Sequence, residues 1–584
     1  MRLLAAGFAC AAAGCSVRAV LAPFSEREAT LNERFERRLE ELWLEVLDRS
    51  PERAARLQPG HATSASLTAW DAQDPRERLE HTRRIDAALE RLAADFQPRD
   101  LGATRARWLG RAERLLQAER AYWASDEPPR PHAWDGTATT AASFLAHLQP
   151  DREVADLRAW LTRLTALVAV VDQATAAVAA RAGAARLARP TLDATLEHLG
   201  TLVEVAPADP FLEPFEAAAA RLPQAEAEPL VRRARELVRS QLRPAYGRLA
   251  RALEAERGRA SEVSGAWRNP ATEGAWRARL SAAAGEGYDA DALHELGRAE
   301  LVRLHGELDR LAPAGRTRAD WFDLLRSGEG NAAAPRGPRE LWALVQPHIE
   351  GLVAGAAPEL PQVAGAQAWD RPRGRWSPLV SAAADGTRRA KYLAPNPAFT
   401  VTVRWQREVQ ALRYGVPGRA LFDELTARAP VPRLLALASE DAHAEGWSLF
   451  VAFAALRDVP GLERDGGFAR LATELVEAAA LVVDTGLHGR RWSRAQALDL
   501  LREETPLGAA AAEDLVLRIS AEPGRAAAPF LGLVKLRGLE RRAVLALGER
   551  FDRAAFLRAL VDEGPLPPGE LDGLVERWVR ALSE

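Results

Sequence analysis

Three short polar stretches interrupt apolar, helix-forming sequence, and they carry the side chains best suited to chemistry. They are Arg407–Leu421, Ala444–Trp447 and Val483–His488. Glu445, Asp484 and His488, from the second and third stretches, are of the types that serve in general acid–base catalysis and in metal binding. We therefore expect the three stretches to assemble one site from three helices.

The spacing of these residues limits how they can act together. Asp484 and His488 are four residues apart, which puts them on one helix face, although Gly486 between them weakens the helical signal. His443 and Glu445 are two residues apart, so a helix would point them about 200° away from each other. The pattern favours Asp484 and His488 as an orienting pair, and it argues against metal binding by His443 together with Glu445.

The first stretch contains a break in a helix. An apolar helical run meets Val416-Pro417-Gly418 and then restarts. Proline lacks an N–H group and glycine is conformationally free, so this pair ends or kinks a helix and redirects its flanks. We expect the break to shape the site.

Familiar catalytic motifs are absent from the 584 residues. There is no G-x-G-x-x-G loop, Walker loop, G-x-S-x-G elbow or H-E-x-x-H pair. The only cysteines are Cys10 and Cys15, close to the N-terminus. Acyl transfer by a serine or cysteine nucleophile therefore has no support in the sequence.

The composition predicts a mainly α-helical fold, because alanine, leucine, arginine and glutamate dominate and are the strongest helix formers. One strand signal is present: strand-like segments on either side of Asp385-Gly386 predict a small β-hairpin or sheet within residues 376–394, beside a central cleft. We expect residues 25–584 to form a single large helical domain. If it divides, the lobes are residues 25–312 and 313–584.

The N-terminal residues indicate export. Arg2 and the apolar residues 3–13 resemble a signal peptide, and Ala12-Ala13-Gly14-Cys15 resembles a bacterial lipobox. We expect a lipoprotein signal peptide over residues 1–15, lipidation of Cys15, a tether over residues 16–24, and a place in the cell envelope at the outer membrane or its periplasmic side. The alternatives are an ordinary secretory peptide and a hydrophobic helix at the start of the chain. The net charge of −3 gives no nucleic-acid footprint.

The order of motifs resembles one bacterial family, the domain of unknown function 885. The resemblance rests on KYLAPNP at Lys391–Pro397, on Pro417-Gly418, AEGW and LVVDTGLH, on EPGRA at Glu522–Ala526, and on His294-Glu295-Leu296-Gly297. It covers nearly the whole mature chain. It implies a large, mainly α-helical, secreted or lipid-anchored protein that is similar to zinc metallopeptidases.

The central motif of that family, HExxPGHH, is changed here at every position that would carry chemistry. Alignment on Pro417-Gly418 puts Arg413 and Tyr414 at the first His and the Glu, and Arg419 and Ala420 at the His pair. Arginine keeps its proton and offers no lone pair, and tyrosine, with an ordinary pKa of about 10, is a poor base near neutral pH. We therefore predict that the zinc expected for the family is lost, and that no cofactor is bound.

Four polar residues remain as candidates: Glu445, Asp484, His488 and His294. One interpretation is a residual acidic site. The other is structural: Glu445 would form a buried ion pair with Arg413 or Arg419, and His488 would be a hydrogen-bonded packing residue.

These observations allow different functions. The first is a catalytically inactive relative of a metallopeptidase, held at the envelope as a binding or scaffold protein for a peptide or another envelope ligand. Arginines 404, 407, 413 and 419 would favour a carboxylate-bearing ligand, unless they form a solvated helix face. The second is an active hydrolase with a displaced site that uses Glu445, Asp484 and His488. A purely structural envelope protein is a third.

Overall fold

The computed structural model describes residues 30–58, 64–72, 74–124, 136–180, 187–204, 209–285, 287–311, 317–327, 337–349, 360–366, 378–395, 404–438, 440–460 and 462–584. The predicted signal peptide, the tether and Cys15 lie outside these residues. In the described part the fold is mainly α-helical with one small sheet, as the composition predicts.

All the regular elements in the first half of the described chain are helices. Its helices are α1 (Leu31–Arg49), α2 (Pro51–Leu57), α3 (Ser64–Thr68), α4 (Pro75–Asp95), α5 (Ala103–Ala124), α6 (Thr137–Leu148), α7 (Val154–Ala180), α8 (Arg189–Val203), α9 (Glu213–Ala219), α10 (Gln224–Leu237), α11 (Arg243–Glu256), α12 (Pro270–Ala284), α13 (Ala290–Leu311), α14 (Arg318–Ser327) and α15 (Pro338–Ile349).

The second half carries the three polar stretches. Its helices are α16 (Arg404–Tyr414), α17 (Arg419–Ala427), α18 (Arg433–Ala436), α19 (Asp441–Asp458), α20 (Glu463–His488), α21 (Arg494–Glu504), α22 (Ala509–Ala521), α23 (Ala527–Leu547), α24 (Arg553–Asp562) and α25 (Pro568–Ser583).

A three-stranded sheet lies between the two halves of the sequence. Its strands are β1 (Gln362–Gly365), β2 (Leu379–Val380) and β3 (Lys391–Ala394), in the order β1-β3-β2. The β2–β3 pair is antiparallel and pairs Leu379 with Tyr392, which confirms the predicted small sheet, although the strands are shorter than the sequence signal. β1 is parallel to β3 and completes the sheet from a region without a strand signal.

The long helices α19 and α23 cross at Gly446 and Gly532, near the middle of the C-terminal half of the protein. A Cβ atom at Gly446 would collide with the backbone of Gly532, and one at Gly532 would collide with the carbonyl oxygen of Ala442. The absence of side chains therefore lets the two helix backbones meet directly. Around this crossing α19 buries Trp447, which is 0% exposed, and Phe450 in a large apolar core.

Buried arginines join segments that are far apart in the sequence. Arg111 on α5 donates to the carbonyl oxygens of Glu563 (2.9 Å) and Pro565 (3.0 Å), and Arg163 on α7 donates to that of Ala69 (3.0 Å). Burial lowers the pKa of both guanidinium groups to about 10, so each remains charged at neutral pH. The planar fork of arginine suits this bridging of carbonyl groups better than a lysine would.

None of the helices in the described ranges is long and apolar enough to cross a membrane.

Candidate functional site

The break in the first polar stretch is where the sequence predicts it. Helix α16 ends at Tyr414 and α17 begins at Arg419. Gly418 folds back so tightly that a Cβ atom there would collide with the carbonyl of Arg413, and its N–H donates to the carbonyl oxygen of Leu412 at 3.1 Å. The turn brings Arg413, at the end of one helix, and Arg419, at the start of the next, to the same place.

Glu445 on α19 lies between these two arginines. Its Oε2 is 3.2 Å from Nη2 of Arg413, and its Oε1 is 3.1 Å from Nη1 of Arg419. Both carboxylate oxygens are therefore held by guanidinium groups. The prediction of an ion pair between Glu445 and the arginines of the altered motif is confirmed.

The ion pairs continue in both directions. Arg413 also binds Oε1 of Glu477 on α20, and Nε of Arg419 donates to Oδ1 of Asp423 at 2.7 Å. The hydroxyl of Ser381, just after β2, donates to Oδ2 of Asp423 at 2.5 Å. We call the five charged residues the ionic array; in order, they are Glu477, Arg413, Glu445, Arg419 and Asp423.

The array runs from the interior towards solvent. The side chains of Arg413 and Glu477 are 9% and 11% exposed, whereas those of Arg419 and Asp423 are 24% and 18% exposed. Burial alone would lower the pKa of Arg413, but Glu477, Tyr414 and Glu445 together raise it above its ordinary value. Because the charges alternate, each buried charge has an opposite neighbour that offsets its loss of hydration.

Two further polar residues face the inner end of the array. Burial raises the pKa of Tyr414 above its ordinary range, so this phenol stays protonated and cannot serve as a base near neutral pH. The guanidinium of Arg413 lies 4.9 Å from the centre of the Tyr414 ring. Arg518 on α22 is close enough to interact electrostatically with Tyr414 and Glu477.

Asp484 is held by hydrogen bonds outside the array. Helix α20 continues through Gly486, so Asp484 and His488 do share one face. Oδ1 of Asp484 accepts from the indole of Trp276 at 2.7 Å, and Oδ2 accepts from the N–H of Gly524 at 2.8 Å. Burial raises the pKa of this carboxyl, which is 0% exposed.

His488 is a buried, hydrogen-bonded residue. Its Nδ1 accepts from the N–H of Ala266 at 3.0 Å, so Nε2 carries the proton and donates to the carbonyl oxygen of Ile519 at 2.9 Å. Burial lowers the pKa of the imidazole, which keeps it neutral. The packing interpretation of His488 is confirmed, and both ring nitrogens are already occupied.

His294 has a similar place on α13. Its Nδ1 lies 2.9 Å from the hydroxyl oxygen of Thr485, and its ring packs edge-on against Trp492. Burial lowers the pKa of His294 to about 4, so it is neutral at physiological pH. The hydroxyl of Thr485 donates to the carbonyl of Leu481 at 2.8 Å, which leaves its oxygen to accept from His294.

The four candidates therefore do not meet at one point. Glu477, which α20 contributes to the ionic array, precedes Asp484 by seven residues and His488 by eleven. At a rise of about 1.5 Å per residue, these distances along the helix are roughly 10 Å and 16 Å. The helices that carry the three stretches do meet at the ionic array, as expected. Asp484 and His488, however, lie away from the array and are not part of it.

Two members of the array, Glu477 and Asp423, were not predicted from the sequence. Glu477 lies in the apolar run before VDTGLH, seven residues before Asp484, and Asp423 lies four residues after Arg419. A separation of four residues is usual for an ion pair on a helix, so the spacing of Arg419 and Asp423 could have predicted this pair. Glu477 has a weaker signal, because it is one of three buried carboxylates on an apolar helix, with Glu474 and Asp484.

The array does not fit a zinc ion. Zinc needs lone-pair ligands, and the two oxygens of Glu445 already face positively charged guanidinium groups. Arg413 and Arg419 offer no lone pair in place of imidazoles. In the described ranges no three His, Cys, Asp or Glu side chains are grouped so that they could hold a metal ion. No chemical step can therefore be assigned to a metal here.

Comparisons with known proteins agree on the fold. The family described as "Bacterial protein of unknown function (DUF885)" matches residues 51–575. A crystal structure described as a "putative lipoprotein" from Colwellia psychrerythraea is similar with a TM-score of 0.81 and 19% identity, covering 94% of this chain and 99% of that one.

A second solved structure, described as a "putative lipoprotein of unknown function" from Shewanella oneidensis, is similar with a TM-score of 0.64 and 14% identity. It covers 94% of this chain and 100% of that one. No curated protein matches the chain. At these identities the two structures establish the fold.

Proposed function

Because the chain belongs to the bacterial DUF885 family, and because its motif arginines form ion pairs with Glu445, we propose that it is a non-catalytic member of that family with a binding or scaffold role. One observation carries the proposal. Both oxygens of the Glu445 carboxylate are held by Arg413 and Arg419, at 3.2 and 3.1 Å. Two guanidinium groups beside this carboxylate would repel a metal ion at the same place.

The arginines act here as fixed internal cations. A guanidinium keeps its charge at any physiological pH and binds carboxylates through a planar fork of N–H groups. Placed between Glu477, Glu445 and Asp423, Arg413 and Arg419 supply positive charge that would otherwise have to come from a bound cation. The helices around the turn can then keep their arrangement without a metal.

The alternative, an active hydrolase that uses Glu445, Asp484 and His488, has less support. Asp484 and His488 are each 0% exposed, and their polar atoms are taken by Trp276, Gly524, Ala266 and Ile519. A general acid or base must reach its substrate directly or through one water molecule. Neither residue has an atom available for that contact.

The same proposal places the protein in the bacterial envelope, anchored through a lipid on Cys15 and exposed at the outer membrane or the periplasmic side. The support is the lipobox-like sequence before Cys15, together with the lipoprotein descriptions of the two similar structures. Incorporation of labelled palmitate in a Gram-negative host tests the anchor. We expect labelling of the natural chain and none of the Cys15→Ala variant, and equal labelling of both would refute it.

Metal analysis and a peptidase assay test the central claim. After dialysis the purified protein should retain no stoichiometric zinc, and it should cleave no peptide with or without added zinc. The Glu445→Gln variant, which keeps the shape of the side chain, serves as the control. Stoichiometric zinc, or hydrolysis that disappears in a folded Glu445→Gln variant, would refute the proposal.

A further inference from the structure

Helix α16 carries a guanidinium group that no other described residue engages. Within the described residues Arg407 forms no hydrogen bond and no ion pair, although its Nε atom is closed off from solvent and the residue is half-buried. By contrast, the buried guanidinium groups of Arg111 and Arg163 are bound to carbonyl oxygens. An arginine in such surroundings without an acceptor is costly, so it points to an acceptor from outside the chain.

The next polar side chain on the same face is also unengaged. Gln410 is half-buried, and its Oε1 is shielded from solvent and has no hydrogen-bond partner. One turn further on, Nε of Arg413 is buried without a partner, in a residue that is 7% exposed. These three residues are spaced by three, so they lie within one face of α16 and rise about 4.5 Å from one to the next.

The charges along this face differ. Arg413 is neutralised by Glu477 and Glu445, whereas no carboxylate of the described residues forms an ion pair with Arg407. An anionic group is therefore expected at Arg407, and a neutral acceptor suffices at Arg413. The amide of Gln410 between them can both donate and accept a hydrogen bond, which matches another amide.

We propose that Arg407 and Gln410 form a binding site for a ligand that carries a carboxylate next to an amide, as the free C-terminus of a peptide does. The carboxylate pairs with the guanidinium of Arg407, and the adjacent amide pairs with the side chain of Gln410. The rise of about 4.5 Å between the two residues is close to the 3.8 Å that separates successive Cα atoms of a peptide. The N–H of Arg413 is then available to the next carbonyl oxygen.

This inference rests on the binding role proposed above and gives it a ligand class. It also revises the expectation that arginines 404, 407, 413 and 419 form either one carboxylate site or one solvated face. Arg413 and Arg419 are occupied internally, and the side chain of Arg404 lies outside the described residues. Arg407 alone of the series keeps an unpaired charge in the described structure.

Calorimetric titration with a matched pair of peptides tests the site. The probes are acetyl-Ala-Ala-Ala with a free C-terminus and the same peptide with a C-terminal amide. We expect the free acid to bind at least tenfold more tightly than the amide, because only the acid can pair with Arg407. Equal affinity for both peptides, or no binding of either, would overturn the proposal.

Variants locate the binding on α16. Arg407→Gln should weaken binding of the free acid at least tenfold. Arg541→Gln, at an exposed arginine on α23 that forms no ion pair with any described residue, should leave it unchanged. Thermal unfolding should be the same for both variants, since neither breaks an ion pair. Gln410→Ala should weaken binding of both peptides several-fold. If Arg407→Gln binds the free-acid peptide as tightly as the natural protein does, the proposed site is wrong.

Three outcomes separate this inference from its alternatives. If acetate binds as tightly as the tripeptide, the residues recognise only an anion, and the amide part of the proposal is wrong. If the tripeptide is bound and also cleaved, the non-catalytic function is wrong but the binding site stands. If it is neither bound nor cleaved, the binding site is wrong and the non-catalytic function stands.

Discussion

The guanidinium of Arg419 lies 3.1 Å from the Glu445 carboxylate, although the two residues are 26 positions apart and on different helices. The contact is possible because the turn at Gly418 starts α17 beside the end of α16. Arg413 approaches the same carboxylate from the other side. The ionic array thus forms because the turn at Gly418 brings the two arginines together beside helix α19.

Removal of Arg413, the more buried of the two cations in the array, should destabilise the fold. Arg413→Met leaves Glu477 and Glu445 buried without their shared partner, and breaking a buried pair in this way costs about 3–5 kcal/mol. Urea unfolding should show this loss, and Arg541→Met at the surface should show almost none. Adding Glu445→Gln and Glu477→Gln to Arg413→Met should recover part of the loss. An unchanged unfolding midpoint in Arg413→Met would contradict the burial of the array.

Restoring the family motif should restore metal binding. The variant Arg413→His, Tyr414→Glu, Arg419→His and Ala420→His removes both guanidinium groups and supplies imidazoles beside Glu445. Two histidines and a carboxylate are a common ligand set for zinc. We expect about one zinc ion per chain after dialysis. The natural protein and a variant with only Tyr414→Glu are the controls, and a folded four-residue variant without zinc would argue against the alignment.

The stability of the protein should fall in acid because of buried histidines. Burial lowers the pKa of His443 from 6.5 to about 3, with a further contribution from Arg111. The unfolded chain therefore takes up a proton below pH 6.5 that the folded chain refuses, so stability is full above this pH and falls towards pH 3. The slope is about 1.4 kcal/mol per pH unit for one such group.

Replacement of His443 isolates its contribution to that slope. Nδ1 of His443 accepts from the N–H of Leu566 at 3.0 Å, and the side-chain oxygen of asparagine can take over this role. The unfolding free energy of His443→Asn, followed by urea titration between pH 4 and pH 7, should decline less steeply than that of the natural chain. Parallel curves would show that His443 is not a buried neutral group.

The glycine crossing of α19 and α23 should tolerate no side chain. Gly532→Ala places a methyl group against the backbone of Ala442, and the forced separation of the helices should cost several kcal/mol. Gly538→Ala on the same helix meets no atom within 4 Å and should stabilise by about 0.5–1 kcal/mol. Thermal unfolding of the two variants should shift in opposite directions. Similar shifts would disprove the close contact.

Local sequence signals predicted the features that depend on neighbouring residues. The helical composition, the break at Pro417-Gly418 and the strand signal around Asp385-Gly386 are all local, and each corresponds to an observed element. The pairing of Glu445 with Arg413 and Arg419 followed from a charge argument, since buried carboxylates need a cation.

Features that depend on distant residues were missed or misplaced. Strand β1 has four residues, too few for a recognisable alternation, and it exists because β3 pairs with it across the intervening chain. Asp484 and His488 seemed to belong with Glu445, yet their partners Trp276 and Ala266 lie more than 200 residues away. No spacing rule within one stretch can indicate such partners.

The partners of Arg111 are synthesised long after Arg111 itself. Its guanidinium is satisfied by carbonyl oxygens at Glu563 and Pro565, which are 452 and 454 residues further along the chain. The carbonyl oxygen of Leu435 is a third acceptor, so the guanidinium gains its full set of acceptors only when almost the whole chain has been made. Contacts of such long sequence separation slow folding. A chain that stops short of Pro565 would therefore leave its N-terminal helices incomplete as well.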